Sequence, residues 1–318
     1  MKICQIHPGC GIPVPPPAWG AIEKIVWEFT VNLRKLGHEV DIKYSNEVHP
    51  GDYDLVMTHV ANLALDLAQR GVPYIFQHHD HHAYHYGKNS HVYRENREAM
   101  EKSTFSLVPA RYLVDYFDLP NVHYFSHGVN IDTFFPNSSP PVMHNLLMVA
   151  NNGLGGYGAY DRKGFELGIK AAMALKLPIT IVGPKSNENW FKENPWVFGY
   201  PNLKIIYEPT NDHLRQIYTS HTIFLHPSEL EAGHPNLTLL EAAACGLPII
   251  GWIEEETVLH GLWRSPRDLK EILRGINAVI EDYEMYRNTI LETAQELSWL
   301  NRSNELIKLY ERNLNTRV

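Results

Sequence analysis

Residues 225–251 read LHPSELEAGHPNLTLLEAAACGLPIIG, and this stretch predicts how the chain around it is folded. An apolar strand ends at His226, a polar loop follows, and a helix begins near Leu237. Asn236 is a favourable N-cap residue for that helix, and Gly246 is suited to follow its last turn. The loop is therefore expected at the carboxyl end of a strand and at the positive end of a helix, where open α/β sheets bind anionic ligands.

Two carboxylates flank this loop. Glu231 lies within it and Glu241 lies on the helix, and neither has an obvious basic partner close by in the sequence. Carboxylates accept hydrogen bonds from hydroxyl groups, whereas the N terminus of a helix favours a negative charge. The combination is typical of a site that holds sugar and ribose hydroxyls beside a diphosphate.

The stretch resembles the nucleotide-sugar signature of retaining glycosyltransferases of the GT-B fold, above all glycosyltransferase family 4. That signature reads P-S-x-x-E-G-x-G and continues into a helix with L-E-A-x-A-x-G-x-P. The residues that match it in order are Pro227, Ser228, Glu231, Leu240, Glu241, Ala242, Ala244, Gly246, Pro248 and Ile249. The family usually has seven residues between its two glutamates, whereas Ala232 to Leu240 makes nine here, so we expect a longer or differently bent loop.

The N-terminal part of the chain is predicted to form a βαβ unit with a long first loop. Lys2–Ile6 reads as a buried strand, Ala21 begins a run with apolar residues at helical spacing, and Val40–Tyr44 returns as a strand. This part also resembles the family's opening, and the matching residues are Pro13, Pro15, Pro16, Gly20, Glu23 and Gly37 to Val40. By this resemblance Gly20 and Ala21 approach the donor phosphates, with Ala21 adding a methyl group where the family has a second glycine.

Strands and helices alternate along the whole chain, which predicts parallel, doubly wound sheets. A proline-rich stretch over 137–142 separates two such series. We therefore expect an α/β protein with the GT-B fold, in which two Rossmann-like domains with doubly wound parallel sheets face an interdomain cleft. The predicted domains are 1–140 on the acceptor side, with a terminal helix at 301–318 packing back on it, and 141–300 on the nucleotide-sugar side.

Composition narrows the class of protein. Of the 318 residues, 44% are hydrophobic and 20% are charged, as in an ordinary globular protein long enough for two domains. The net charge of −8 gives no global electrostatic reason to expect nucleic-acid binding. The three cysteines lack metal-ligand spacing, and the N-terminal residues resemble neither a signal peptide nor a membrane span, so we expect a cytoplasmic protein.

The densest group of titratable side chains is FQHHDHHAYH, residues 76–85. Such imidazoles can bind zinc or act as an acid, a base or a hydrogen-bond donor. No metal site is assigned, because no cysteine lies nearby and the GT-B fold generally needs no metal. Related families often have an H-D pair just past this strand, which His79 and Asp80 match. The resemblance implies that His79 donates to the 6-hydroxyl of the reacting sugar or to charge near its anomeric carbon. The alternative is that His78, His81, His82 and His85 are ordinary loop histidines, which we expect for at least two of them.

Lys163 and Gly164 resemble the family's K-G pair, whose lysine neutralises the donor diphosphate. A cation is needed there because the leaving nucleoside diphosphate gains charge as the glycosidic bond breaks. The alternative is a solvated lysine at the start of a helix. The family's partner arginine is missing, since the strand ending at Val149 is followed by Ala-Asn-Asn. Arg162 is a candidate substitute, and backbone N–H groups of the glycine-rich segment 153–158 are another.

The remaining assignments complete the predicted donor site. By the same resemblance, Glu231 positions the donor sugar and Glu241 holds the ribose. Gly183 ends a predicted strand, where it either contacts the base or phosphate or forms a plain turn. The other donor-binding residues, in the loop and at the start of the helix, are Gly233, Asn236 and Leu237.

The resemblance implies a retaining glycosyltransferase that moves a hexose-type sugar from a UDP-sugar or GDP-sugar to an acceptor hydroxyl, without a metal or another cofactor. Its expected catalytic residues are His79, Glu231 and Lys163. The acceptor is left open among a glycan, a lipid, a small molecule and, less readily, a nucleic acid, and the oligomeric state is also open. Two other functions fit the same residues: a same-fold nucleotide-sugar isomerase or epimerase, and a catalytically degenerate sugar-nucleotide-binding protein.

Overall fold

The computed structural model describes residues 1–9, 11–17, 20–152, 160–229, 231–252 and 259–315. The chain forms two compact units. Unit 1 comprises Met1–Gly128, Ala232–Asn236 and Leu297–Val318, and unit 2 comprises Val129–Glu231 and Leu237–Glu296. Each unit is an α/β structure with its own sheet and its own apolar core.

Unit 1 alternates strands and helices from its first residues onward. Its strands are β1 (Lys2–Ile6), β2 (Glu39–Lys43), β3 (Leu55–Thr58), β4 (Ile75–Gln77), β5 (Phe105–Val108) and β6 (Val122–Tyr124). The helices between them are α1 (Ala21–Lys35), α2 (Ala61–Gln69), α3 (His82–Tyr86), α4 (His91–Lys102) and α5 (Arg111–Phe117).

The sheet of unit 1 has the strand order β2-β1-β3-β4-β5-β6, and its pairings are parallel. Helices cover both faces of such a sheet, which is why β3 and β5 are largely apolar and fully buried. The chain starts at β1, moves outward to β2 and then crosses to β3 on the other side. The loops after β1 and β3 therefore diverge, and the crevice between them is the topological switch point at which open sheets bind ligands.

Unit 2 repeats this alternation in the second half of the chain. Its strands are β7 (Leu146–Val149), β8 (Ile179–Gly183), β9 (Leu203–Tyr207), β10 (Ile223–His226), β11 (Ile249–Gly251) and β12 (Leu262–Arg264). Its helices are α6 (Phe165–Leu175), α7 (Glu188–Glu193), α8 (Asn211–Thr219), α9 (Leu237–Ala244), α10 (Leu269–Glu281) and α11 (Tyr283–Glu296), after which α12 (Trp299–Asn315) belongs to unit 1.

The sheet of unit 2 has the order β12-β11-β10-β7-β8-β9, again with parallel pairings. Its first strand, β7, lies in the middle, and the chain winds outward first through β8 and β9 and then through β10 to β12. This is the Rossmann strand order, with its switch point between β7 and β10. The predicted pair of doubly wound parallel sheets is therefore confirmed.

The C-terminal helix α12 packs within unit 1. The Trp299 ring makes an edge contact with Phe29 of α1, with ring centroids 5.1 Å apart. Arg302 Nε donates to the carbonyl oxygen of Ser126 at 3.2 Å, so a side chain of α12 bonds the loop after β6. None of the described helices is both long and apolar enough to cross a membrane.

Two short elements differ from the sequence expectation. β12 was not predicted, because it has only three residues and none of them is fully buried. Part of the histidine-rich stretch forms the helix α3, and His78 is 1% exposed rather than a solvated loop residue. Its ring packs against Phe117 at 5.5 Å between centroids, and its Nδ1 lies 3.0 Å from Asn96 Oδ1. His78 is therefore a core histidine with a hydrogen-bonded ring.

Gly164 brings two loops of unit 2 into contact. It precedes α6 with φ 73°, a left-handed conformation that favours glycine. A Cβ atom at this position would lie 2.5 Å from the carbonyl oxygen of Pro227, which follows β10. The glycine of the K-G pair is thus required for the segment after β7 to lie against the segment after β10.

We predict that Gly164→Ala lowers the free energy of unfolding more than Gly246→Ala does. Gly164 has φ 73° and Gly246 has φ 78°, so an alanine at either position adopts a left-handed backbone conformation. This conformation costs each variant about 1 kcal/mol of folding free energy. At Gly246 the added Cβ meets only side-chain atoms at 3.4 Å, whereas at Gly164 it meets backbone. Because the new Cβ atom overpacks this contact, urea unfolding should show that Gly164→Ala loses at least about 1 kcal/mol more free energy of unfolding than Gly246→Ala. Equal losses would contradict the proposed close approach.

Candidate active site

The segment after β7 is held by a network of amide and carboxylate hydrogen bonds at the switch point of unit 2. The Asp161 carboxylate accepts from the backbone N–H groups of Phe165 at 2.9 Å and Glu166 at 2.7 Å, which satisfies the first turn of α6. Asn152 Nδ2 donates to Asp161 at 2.9 Å, and Asn152 Oδ1 accepts from the backbone N–H of Lys163 at 3.0 Å. These bonds fix the backbone from which the Lys163 side chain extends.

Lys163 and Glu231 form a buried ion pair, although 68 positions separate them in the sequence. Their side chains are only 10% and 13% exposed. Arg162 Nη1 lies 3.6 Å from Glu231 Oε1, and His226 Nε2 lies 3.7 Å from the same oxygen. Ser228 Oγ also donates to Glu231. The structure thus brings together three predicted site residues, Arg162, Lys163 and Glu231, and supplies the basic partners that the local sequence around Glu231 lacks.

The electrostatics of this cluster couple the carboxylate of Glu231 to the basic side chains around it. Burial alone would raise the pKa of Glu231, but attraction to Lys163, His226 and Arg162 outweighs it and holds that pKa well below its usual range. Burial lowers the pKa of Lys163, and the charge of Glu231 opposes that effect. The side chains of Arg162 and Lys163 lie at the carboxyl ends of β7 and β10, the edge at which open α/β sheets bind phosphate groups.

A second ion pair beside this cluster has no counterpart in the sequence-based assignments. Arg267, which precedes α10, pairs with Glu229, and its Nη2 donates to the carbonyl oxygen of Asp161 at 2.7 Å. Its Nη1 also donates to the Tyr160 hydroxyl at 3.2 Å. Nothing in the sequence marks Arg267, since it lies over 100 positions from Asp161 and outside any motif. Only the parallel sheet brings these residues together.

Glu241 occupies a separate position on α9. Its carboxylate, 5% exposed, accepts a hydrogen bond from the hydroxyl of Tyr218 at 3.1 Å. Burial and the charge of Glu241 raise the pKa of Tyr218 well above its ordinary value, so the phenol keeps its proton and donates it. Sequence reasoning missed Tyr218, which lies on the apolar face of α8 and reads as a core residue. The predicted contact of Glu241 with a ribose stays a prediction.

Gly183 has a packing role at the end of β8. A Cβ atom there would lie 2.0 Å from Asn187 Nδ2 and 2.3 Å from the carbonyl oxygen of Ala150. Asn187 uses this space to donate to that carbonyl at 2.9 Å and to accept from the backbone N–H of Asn152 at 2.8 Å. The glycine therefore supports the network that holds Lys163, and its contact with a donor remains a prediction.

The predicted residues in unit 1 lie at the start of α1 and beside His127, since a Cβ atom at Gly233 would lie 3.0 Å from Asn236 Cα and 3.2 Å from His127 Cδ2. Gly20 is the N-cap of α1 with φ 133°, and Ala21 is the exposed first residue of that helix. Gly233 and Asn236 lie in the Ala232–Asn236 segment, and Leu237 begins α9 in unit 2.

Backbone hydrogen bonds anchor the Ala232–Asn236 segment in unit 1. The backbone N–H of His234 donates to the carbonyl oxygen of Pro109 at 2.9 Å, and the Tyr124 hydroxyl donates to the carbonyl oxygen of His234 at 2.8 Å. The lengthened loop between the two glutamates is thus held by residues that follow β5 and end β6. The glycine-rich segment 153–158, a candidate source of backbone N–H groups, lies outside the described residues.

His79 belongs to a group of histidines at the carboxyl ends of the unit 1 strands. Its Nε2 lies 2.9 Å from Nδ1 of His59, whose Nε2 lies 2.8 Å from Gln5 Oε1. His127 stacks on His79 with centroids 5.7 Å apart. Burial lowers the pKa of His59 to about 3 and that of His127 to about 4, and burial together with these neighbours lowers the pKa of His79 well below its usual value. All three rings are therefore neutral at neutral pH, and His79 offers a hydrogen bond rather than a charge.

Across the described ranges, no three His, Cys, Asp or Glu side chains are grouped so as to hold a metal ion. The free cysteines among these residues, Cys4 and Cys245, are both buried, and burial raises the pKa of each thiol above its ordinary value. A thiol of raised pKa is a poor nucleophile at neutral pH.

Comparison with known proteins identifies the fold. The structure is similar to sucrose-phosphate synthase from Thermosynechococcus elongatus over 99% of both chains, with a TM-score of 0.77 and 14% sequence identity. A glycosyltransferase involved in avilamycin A biosynthesis matches with a TM-score of 0.71 and 16% identity over 99% of this chain and 98% of that one. Anabaena HepE in complex with UDP-glucose matches with a TM-score of 0.73 and 12% identity over 98% of this chain and 100% of that one. The fold is GT-B, the two-domain class of glycosyltransferases.

A second comparison matches part of the chain to a family model. Residues 153–282 match the family model described as Glycosyl transferases group 1, and this range contains Arg162, Lys163, Glu231 and Glu241. The family resemblance drawn from the sequence motifs is thereby confirmed for this part of the chain. No sequence among the curated proteins matches the chain.

We predict that Glu231→Gln lowers the free energy of unfolding by about 3 kcal/mol at pH 7, because it removes the carboxylate that pairs with the buried Lys163. The depressed pKa of Glu231 stabilises the folded chain fully above the unfolded glutamate pKa of about 4.3. The difference between wild type and variant should therefore be constant above about pH 5 and shrink as the pH falls further. Urea unfolding of both proteins at a series of pH values from about 3.5 to about 8 measures this difference in the free energy of unfolding.

The matched control for this prediction is Glu229→Gln. Glu229 also pairs with an arginine, but its side chain is 49% exposed. Exposed pairs contribute at most about 1 kcal/mol, so the control should lose less than that. A Glu231→Gln difference that stays constant down to the lowest pH would contradict a depressed pKa for this carboxylate.

Proposed function

We propose that the protein is a retaining glycosyltransferase that moves a hexose from a nucleoside-diphosphate sugar to an acceptor hydroxyl. The observation that carries this proposal is the buried cluster of Arg162, Lys163 and Glu231 at the switch point of unit 2. Two cations and one carboxylate at the ends of β7 and β10 suit a diphosphate linked to a sugar. The cations bind the phosphate oxygens, and the carboxylate accepts hydrogen bonds from the sugar hydroxyls.

In the proposed reaction the bond between the anomeric carbon and the β-phosphate oxygen breaks while the acceptor oxygen bonds the same carbon on the same face. The acceptor proton passes to an oxygen of the departing phosphate, which leaves as a nucleoside diphosphate. Lys163 and Arg162 stabilise the negative charge that accumulates on this leaving group. No protein carboxylate acts as a nucleophile in this scheme. Glu231 orients the sugar, Glu241 binds the ribose, and His79 contacts the sugar.

The proposed donor is a UDP-hexose or GDP-hexose. Anabaena HepE was solved with UDP and with UDP-glucose, and starch synthase IV from Arabidopsis thaliana with ADP and acarbose, so proteins of similar fold bind nucleoside diphosphates. We propose that the reaction needs neither a metal nor another cofactor. We also propose that the protein is cytoplasmic. A glycan, a lipid or a small molecule is the proposed acceptor, and a nucleic acid is a further acceptor to test because one neighbour was solved with UDP and DNA.

We predict that Lys163→Ala and Glu241→Ala each weaken binding of UDP or GDP by about 1–3 kcal/mol, the contribution of a charge-assisted hydrogen bond. A thermal-shift screen first selects the base, since a ligand at 100 times its Kd stabilises a protein by about 2.7 kcal/mol. Isothermal titration calorimetry then compares the variants. Lys170→Ala is the matched control, because Lys170 lies on α6, the helix that follows Lys163, and its side chain is 47% exposed. Wild-type affinity in both site variants would refute the assignment.

Turnover separates the transferase from its two rivals. We expect the protein to release nucleoside diphosphate from its donor slowly in water and faster when an acceptor is added, with an α-linked donor giving an α-linked product. Chromatography of the donor incubated alone tests the isomerase or epimerase, which would convert the sugar nucleotide without an acceptor. Binding with neither transfer nor hydrolysis would instead identify a degenerate sugar-nucleotide-binding protein.

A further inference from the structure

A chain of hydrogen bonds runs across the switch point of unit 1 and ends at His79. Gln5 on β1 and Met57 on β3 are register partners in neighbouring strands, and Gln5 Nε2 donates to Met57 Sδ at 3.3 Å. Gln5 Oε1 lies 2.8 Å from His59 Nε2, and His59 Nδ1 lies 2.9 Å from His79 Nε2. Gln5, Met57 and His59 are at most 3% exposed, so water does not compete for these bonds.

The sulphur of Met57 sets the orientation of the Gln5 amide. A thioether has no hydrogen to donate and accepts only weakly, so it suits the NH2 end of the amide. The reversed amide would place a carbonyl oxygen against the sulphur lone pairs and lose that bond. Gln5 therefore directs its oxygen, an acceptor, toward His59.

The orientation of Gln5 fixes the tautomer of both histidines. A neutral imidazole has one N–H and one lone pair. Since Gln5 offers an acceptor, His59 carries its hydrogen on Nε2 and has its lone pair on Nδ1. His79 must then donate from Nε2 to that lone pair, which leaves the lone pair of His79 on Nδ1. The depressed pKa values of His59 and His79 keep both rings neutral, as this sequence of bonds requires.

Nδ1 of His79 is shielded from solvent and has no hydrogen-bond partner among the described residues. His127 stacks on the ring face and so does not bond this atom. With the opposite tautomer, the same position would hold a buried N–H without an acceptor, which is rarer and costlier than an unused lone pair. The burial pattern thus agrees with the tautomer that Gln5 imposes.

We propose that Gln5 and His59 are positioning residues that hold His79 in its Nε2–H tautomer, so that Nδ1 of His79 accepts a hydrogen bond from a hydroxyl of the transferred sugar. The identity of this ligand rests on the proposed function, whereas the tautomer rests on unit 1 alone. The sense of the bond is opposite to the donor role that the family resemblance implies for His79. The sugar hydroxyl that meets His79 must supply the hydrogen.

Nitrogen NMR of the full chain with ring-labelled histidine tests the tautomer without any ligand. The two neutral tautomers differ in which ring nitrogen is protonated and are distinguished by their nitrogen shifts. Signals of His59 and His79 are assigned by their disappearance in His59→Phe and His79→Phe. We expect both rings to be fully Nε2–H at pH 7 in the wild-type protein. A protonated Nδ1 on His79 in the wild-type protein would overturn the proposal.

Substitution of Gln5 tests whether the relay imposes this tautomer. Gln5→Leu removes the acceptor at similar volume, so His59 is no longer restricted and His79 should show a mixture of both tautomers. An unchanged, single tautomer of His79 in a folded Gln5→Leu protein would overturn the relay. If this variant does not fold, the wild-type spectrum still decides the tautomer, and His59→Phe tests the same dependence one step closer to His79.

Donor analogues test the sense of the hydrogen bond to the sugar. Fluorine accepts hydrogen bonds weakly but cannot donate them, so a deoxyfluoro sugar nucleotide loses a contact in which the sugar is the donor. At the position that meets His79, we expect the deoxyfluoro and deoxy analogues to bind equally, each about tenfold more weakly than the parent. A deoxyfluoro analogue that keeps parent-like affinity at every position would overturn the acceptor role. Absence of any sugar-nucleotide binding would refute the proposed function and leave the tautomer result intact.

Discussion

The parallel pairing of the strands is the constraint on which both sites depend. Because all carboxyl ends of a parallel sheet meet at one edge, loops that are far apart in the sequence must end side by side. In unit 2 this brings Lys163 to Glu231, and in unit 1 it brings Gln5 to His59 and His79. Each group lies where the order of the strands reverses, so the two halves of the molecule place their polar residues by the same topological rule.

The two units bury polar groups at these sheet edges in different ways. Unit 2 buries full charges, which costs several kcal/mol per ion unless they are paired, and it pairs Lys163 with Glu231 at once. Unit 1 buries imidazoles that stay neutral. The free-energy cost of burying these rings is offset by the hydrogen bonds that link Gln5 to His59 and His59 to His79. The two units thus differ in the kind of polar group that they bury: unit 2 buries paired charges and unit 1 buries neutral hydrogen-bonded rings.

Sequence patterns predicted the features that depend on local chemistry. Apolar runs such as Leu146–Val149 predicted the buried strands, and the signature around Glu231 predicted the match of residues 153–282 to the family model. The sequence did not predict the contacts between residues that are far apart in the chain, because such contacts leave no periodic pattern in either segment. Arg267 meets Glu229, Tyr218 meets Glu241, and Gln5 meets His59, yet each looks unremarkable in its own segment. β12 was missed for another reason, because three half-buried residues are too few to show a pattern.

The close approach of Gly164 to Pro227 has a consequence for how this protein can be redesigned. The two residues lie next to Lys163 and Ser228 respectively, so the backbone carrying the cation rests directly on the backbone leading to the carboxylate. Inserting or exchanging residues in the loop after β10 will therefore displace Lys163 as well. Any redesign of this loop therefore has to exchange both loops together.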